Sequence, residues 1–227
     1  MSPSFGLLVF PDIQQLDLTA PYEIFASAPG ATVHLVWKDL APVRASTGLC
    51  LKPTTTLAEC PTLDVICIPG GVGVNALMTD GVVLDFVAER ARDARFVTSV
   101  CTGSLVLGAA GLLRGRRATS HWNARDLLAG FGAVPTMGRI VRDGNLITAG
   151  GVTAGLDFGL TVLDELLGRE EAAAVQLQLE YAPAPPFASG TPEEASPAVL
   201  DAVRQRFTGS RAKREALLRA SVPHWSA

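Results

Sequence analysis

Of the four cysteines in the chain, Cys101 is the one set where a nucleophile belongs. The stretch RFVTSVCTGSLVLGAAGLLRG (residues 95–115) runs from β-branched and apolar residues, through Cys-Thr-Gly-Ser, into a helix-like sequence. Strand, sharp turn, helix is the context that lifts a side chain clear at the carboxyl edge of an α/β sheet. There the sulfur lies near free N–H groups of the next helix, whose dipole favours thiolate and predicts a pKa below the usual ~8.5. The small residues Thr102, Gly103 and Ser104 let the backbone bend without crowding the sulfur. A packed core thiol is the competing role for any free cysteine. Cys67, inside VICIPG, fits that role, and Cys50 and Cys60 read as structural or incidental.

A thiolate needs a proton partner. Asp17, in FPDIQQLDLTAP, follows the first apolar run and shares the sheet edge of Cys101 if both strands are parallel and central. Like charge and exclusion of water raise the pKa of an acid beside an incipient thiolate, so Asp17 can hold and donate a proton near neutral pH. The expected geometry has an Asp17 carboxylate oxygen within hydrogen-bonding reach of the Cys101 sulfur. The alternative for Asp17 is a helix cap, with Thr19 its rival for that job before Pro21. Asp12 reads as a turn residue. Gly70, Gly71, Val72 and Gly73, after the third apolar run, suit a tight loop that exposes backbone N–H groups near the sulfur. Thr102 can offer its hydroxyl or its N–H to the reacting end of a substrate. His121, in ATSHWNA, either faces the site or packs beside Trp122. Gly150 and Gly151 lead into a helix, where close backbone packing or mobility near Cys101 is expected.

These residues need a frame to hold them. Phe5–Phe10, Thr32–Trp37, Leu63–Ile68 and Arg95–Val100 are near-continuous apolar runs, the pattern of parallel strands covered on both faces. Helical stretches alternate with them: Leu18–Ala28 with Pro21 in its first turn, Val82–Arg92, Gly103–Leu113, Ala124–Leu128 and Ala154–Leu167. Thr47-Gly48 centres a hairpin or edge pair, and Asp143-Gly144 a tight turn between strand-like runs. The pattern predicts a doubly wound α/β sandwich with a small antiparallel annex. After Glu180, YAPAPPFASGTPEEASP reads as a strap over the surface. A helix over Pro197–Ala220 follows, and its basic stretch Arg211–Arg214 reads as a solvated face.

Composition narrows the chemistry. The 227 residues suffice for one sizeable core. The 48% apolar content, with 22 glycines and 15 prolines, fits a compact, turn-rich fold. A net charge of -3 gives no reason to expect nucleic acid or an anionic membrane, and favours a small or neutral substrate. The cysteines form no CxxC pair and no His-flanked cluster, which argues against zinc, iron–sulfur and thioredoxin-type chemistry. The Gly70–Gly73 loop does not match the dinucleotide spacing, so neither a metal nor an organic cofactor is expected. The opening MSPSFGLLVFPD lacks a basic leader, and no apolar span reaches membrane length. A cytoplasmic setting with reduced thiols is the expectation.

At FPDIQQLDLTAP, LDVICIPGGVGVNALM, VTSVCTGSLVLGAAGLLRGRRATSHW, VRDGNLITAGGVTAG and QLQLEYAPAPPF the chain resembles the DJ-1/PfpI superfamily. Within it, the resemblance is to the isocyanide (isonitrile) hydratases. It implies a flavodoxin-like three-layer sandwich with a central, mostly parallel sheet and a nucleophile elbow, forming one domain over residues 1–227 with 181–227 as strap and helix. It implies that Cys101 is the nucleophile and that Asp17 stands where many members carry a Glu. Thr102 stands where the protease-like branch has a His, so no base follows the sulfur. That departure argues against a peptidase or amidase. Of His34, His121 and His224, only His121 is placed to substitute. The implied activity is hydration of an isocyanide to an N-substituted formamide through a Cys101 thioimidate, by a homodimer without a cofactor. Two other readings stay open. One is a redox-sensing protein with Cys101 as a low-pKa thiolate; the other is a glyoxalase-like enzyme, which typically depends on a Glu and a His around the Cys.

Overall fold

The computed structural model describes residues 2–221; His224 lies outside the described residues. In chain order the strands are β1 (Ser4–Leu8), β2 (Thr32–Trp37), β3 (Val43–Arg44), β4 (Cys50–Leu51), β5 (Thr55–Thr56) and β6 (Val65–Ile68). They continue with β7 (Phe96–Val100), β8 (Arg117–Ala118), β9 (Val134–Pro135), β10 (Ile140–Asp143) and β11 (Leu146–Ala149). The helices are α1 (Gln15–Ala26), α2 (Val74–Leu77), α3 (Gly81–Asp93), α4 (Gly103–Ala109), α5 (Ala154–Leu167), α6 (Arg169–Gln178) and α7 (Pro197–Ser221).

Seven strands form one sheet in the order β10-β11-β7-β6-β1-β2-β5. Every neighbouring pair is parallel except β10 and β11. The four apolar runs supply β7, β6, β1 and β2, and β6 and β7 are buried along their whole length. Strands covered on both faces have no solvent side to alternate with, which is why β1, β6 and β7 show little polar alternation; β2 is buried only at Val36 and Trp37 and is exposed or half-buried over Thr32–Leu35. On one face α1 lies against α5 and α5 against α6; α2, α3 and α4 form the other helical layer. Phe5 of β1 stacks on Phe25 of α1 at 4.3 Å, and Phe158 of α5 meets Phe25 edge-on. Glycine lets α1 and α5 close: a Cβ on Gly159 would come within 2.8 Å of Ile24.

Three sequence expectations change. The Asp143-Gly144 hairpin is no annex, because β11 pairs in parallel with β7 and extends the main sheet. The separate two-stranded pieces are β3–β4, around Thr47-Gly48, and β8–β9. Helix α1 starts at Gln15, so Pro21 is an interior residue, and the bond its missing N–H would have made to the Asp17 carbonyl is forfeited. The ring instead packs on α5, where a Cβ on Gly155 would stand 3.1 Å from Pro21 Cδ. Helix α6 was not anticipated, since its inward face is mostly Ala172 and Val175, too slight an apolar stripe to read as a period. Among the described residues, no helix is long and apolar enough to cross a membrane.

Candidate active site

The parallel order brings three loops to one edge: the β1–α1 loop, the loop after β6, and the β7–α4 junction. Cys101 occupies that junction with φ 56, the left-handed region that non-glycine residues seldom enter. Its N–H is shared by the carbonyls of Ala149 (3.1 Å) and Gly150 (2.8 Å). Its carbonyl accepts from the hydroxyls of Ser104 (3.3 Å) and Ser120 (3.0 Å). Four bonds from three segments hold the strained turn, the over-determination such a conformation requires.

Gly103 matters for a reason other than room for sulfur. A Cβ there would lie 1.9 Å from the Ile68 carbonyl oxygen, a backbone atom that cannot step aside. Gly103→Ala is therefore expected to destabilise the fold by about 3 kcal/mol and to displace the elbow. Urea unfolding, read as a lower midpoint at unchanged slope, checks this.

Asp17 is fully buried. It caps nothing locally, and neither does Thr19, whose hydroxyl bonds Gln15; the carboxylate Oδ2 instead accepts the Gly70 N–H at 3.0 Å, across 53 residues. Its Oδ1 is buried without a hydrogen-bond partner of normal geometry. Cys101 and Asp17 lie near enough for each to shift the other's ionisation, and the expected carboxyl–sulfur hydrogen bond is not among those the described residues form. Burial raises the Asp17 pKa to about 7, against which the Cys101 thiol and the Gly70 N–H pull downward. The thiol departs from expectation. Burial, then the Asp17 charge, push Cys101 well up, outweighing the Thr102 N–H aimed at its sulfur. A helix as short as α4 brings too little dipole to reverse that. At neutral pH the pair is a protonated thiol beside a carboxyl poised to take its proton.

The glycine loop supports rather than exposes. The Gly70 N–H serves Asp17, the Gly71 N–H goes to Thr102 Oγ1 (3.1 Å), and the Gly73 N–H goes to the Asp12 carbonyl (3.1 Å). These three donors are thus taken and do not face a substrate. Gly73 is pressed against Pro11, whose carbonyl would lie 1.9 Å from a Cβ. The Thr102 hydroxyl is spent on Gly71, leaving its N–H as the group directed at Cys101.

A cavity of about 350 Å³ opens on the sulfur, with Gly71, Val72, Thr102 and His121 among its lining residues. Gly151 and Gly150 belong instead to a neighbouring cavity of about 390 Å³: Gly151 backs the His121 ring, and Gly150 acts on the elbow through its carbonyl. His121 both faces the site and packs, its ring meeting Trp122 (5.4 Å) and Phe207 (5.3 Å). Its Nδ1 accepts the Asn123 N–H, so the neutral ring carries its proton on Nε2. Burial and Arg214 lower its pKa to about 4, which removes it as a base exchanging protons at neutral pH.

The far wall was not foreseen. Arg206, Phe207, Ser210 and Arg214 of α7 line the cavity. The basic stretch of α7 is not a solvated face. Arg211 bonds the Asn123 carbonyl and pairs with Asp126 and Glu215, and Arg214 is only 6% exposed. A signal was present: Phe207, Arg211, Arg214 and Leu218 fall at i, i+4, i+7 and i+11, one stripe of a helix.

Residues 4–165 match the family model described as the DJ-1/PfpI family. The chain is 63% identical over 210 residues to a protein of Pseudomonas putida named isonitrile hydratase, covering 92% of each chain. Among solved structures it is similar to a THiJ/PfpI family protein from Pseudomonas syringae, with TM-score 0.94, 45% identity and coverage of 96% of this chain and 91% of that one. It is also similar to Drosophila melanogaster DJ-1beta, with TM-score 0.74, 26% identity and coverage of 81% and 100%.

Proposed function

We infer, for a chain that belongs to the DJ-1/PfpI family, that it is a hydratase converting an isocyanide, R–N≡C, into an N-substituted formamide, R–NH–CHO. The observation that carries this is the 63% identity to the Pseudomonas putida isonitrile hydratase across nearly the whole of both chains. The pairing of a Cys101 thiol with a buried carboxyl titrating near 7, and no base after the sulfur, supports the assignment of roles.

Cys101 attacks the terminal isocyanide carbon, forming the S–C bond. The proton that leaves sulfur is the proton that carbon gains, relayed by Asp17, and the product is the thioimidate R–N=CH–S–Cys101. Asp17 then accepts a proton from water as its oxygen adds to the same carbon and passes that proton to nitrogen, giving R–NH–CH(OH)–S–Cys101, whose hydroxyl proton is the one that returns to sulfur on collapse. Collapse of this adduct expels the sulfur, which recovers its proton through Asp17, and the sum is one water added to one isocyanide. Splitting the hydration in two lets one carboxyl alternate as base and acid. The Thr102 N–H holds the sulfur while charge lies on it. No amine leaves at any stage, so the chemistry makes no demand for a histidine such as acyl transfer from an amide imposes. On this reading no cofactor takes part.

The R group occupies the cavity between the Val72 loop and α7, against Phe207 and Val152. We propose a homodimer, the state the resemblance implies; light scattering on the purified protein tests it. The deciding assay supplies a simple alkyl or aryl isocyanide and follows formamide, beside a methylglyoxal control. Formamide without methylglyoxal turnover is the expected result. Absence of formamide would overturn the reading.

A further inference from the structure

We propose that Arg214 is the electrostatic partner of Cys101: its guanidinium, fixed in the wall of the same cavity, stabilises the thiolate form of Cys101 during attack and release. The proposal rests on Cys101 being the reacting thiol and adds a residue to that machinery.

Arg214 comes from the last described helix, far from the elbow in sequence, yet it is 6% exposed and borders the cavity onto which Cys101 opens. Among the described residues, the one hydrogen bond it makes is a long one, Nη2 to the Gly71 carbonyl at 3.4 Å, and its buried Nε has no partner. Among the described residues no carboxylate pairs with it, whereas Arg211, one turn earlier, holds both Asp126 and Glu215. A guanidinium does not shed its proton in a protein, so Arg214 is a buried, uncompensated cation. Such an arrangement is costly unless an anion answers it. Among the described residues no Asp or Glu lines the cavity, and the anion the reaction generates on its wall is the Cys101 thiolate. The attraction between Arg214 and Cys101 is reciprocal, favouring charge on each.

The groups that face the thiol are few. Asp17 of α1 opposes its ionisation, and Cys67 of β6 lies near enough to Asp17 to feel its charge. His121 is held neutral and does not compete. On α7, Arg206 sits at the exposed rim, and Arg211 lies behind Arg214 with its charge taken up by carboxylates. Arg214 is thus the buried cation left to act on the sulfur.

The test is alkylation of Cys101 by iodoacetamide from pH 6 to 10, followed on the Cys101 peptide by mass spectrometry in Arg214→Gln, Arg214→Lys and the unaltered protein. Losing a nearby opposite charge moves a pKa by about one unit or more, so the Gln profile is expected to shift upward and its rate on the rising limb to fall about tenfold. The Lys variant is expected to stay within about half a unit of the parent, since the charge remains. An unshifted Gln profile overturns the proposal. If the Gln variant does not fold, Arg214→Met, which removes the charge but keeps an apolar stem in the wall, takes its place: an upward-shifted profile supports the proposal and an unshifted one overturns it. Alkylation needs no isocyanide, so its outcome is separate from whether the parent forms formamide.

Discussion

Cys101→Ala is expected to reduce formamide formation to the uncatalysed background, and Cys101→Gly to do the same in a chain about 1 kcal/mol more stable than the Ala variant. Both remove the nucleophile. They differ only in what stands at φ 56: Ala keeps the Cβ that makes a left-handed residue unfavourable, and Gly does not. The bonds that hold the turn are to the backbone of Cys101 and survive either change. Activity and stability should therefore separate, with equal loss of turnover and unequal denaturation midpoints. A Gly variant no more stable than the Ala variant would mean the elbow stores no strain, and residual turnover in either would remove Cys101 from the mechanism.

Asp17→Asn carries the second large effect, and its two readouts move in opposite directions. Turnover should fall by about 10²–10⁴, the usual worth of a positioned acid–base group. In the parent, kcat/KM should rise with pH through about 7 as the carboxyl becomes able to take the thiol proton, and that acid limb should vanish in the Asn variant. Stability runs the other way. The folded-state pKa of Asp17 is raised by burial, so the folded protein binds more protons than the unfolded chain between about 4 and 7. Asp17 therefore costs nothing at low pH and progressively more as pH climbs through that window. With the folded value near 7, the full cost at alkaline pH is about 4 kcal/mol. The Asn variant escapes it. Denaturation at pH 5 and pH 8 should show a gain over the parent that is larger at pH 8. A gain independent of pH would show that the buried carboxyl is not the source.

What the sequence disclosed, and what it withheld, follows from how each feature is made. Strands buried on both faces carry little polar alternation, so β1, β6 and β7 were readable, the half-buried β2 was read from its Val, Leu and Trp residues, and with them the edge where Cys101 and Asp17 lie. The elbow was readable because a thiol between a strand and Thr-Gly-Ser has few other uses. Protonation was not. The direction of the Cys101 shift depends on how completely the surrounding loops exclude water, a property of packing that no local motif carries. The loop glycines illustrate the same limit: their presence predicted close approach correctly, but not that their N–H groups would be consumed by Asp17, Thr102 and Asp12. Arg214 was missed because a run of basic residues on a helix is usually wet. Only the apolar residues a turn or two away, Phe207 and Leu218, marked its side as the inward one.

The placement of α7 has a consequence for the order in which this enzyme becomes itself. A chain made from its N-terminus presents β1, α1, β6 and β7, and so the whole Cys101–Asp17 pair, long before residues 197–221 emerge. Until α7 docks through Arg211 and Phe207, the sulfur has a floor and sides but no outer wall. The sheet can be finished while the cavity beside Cys101 is still open, and the last described helix is the element that closes it.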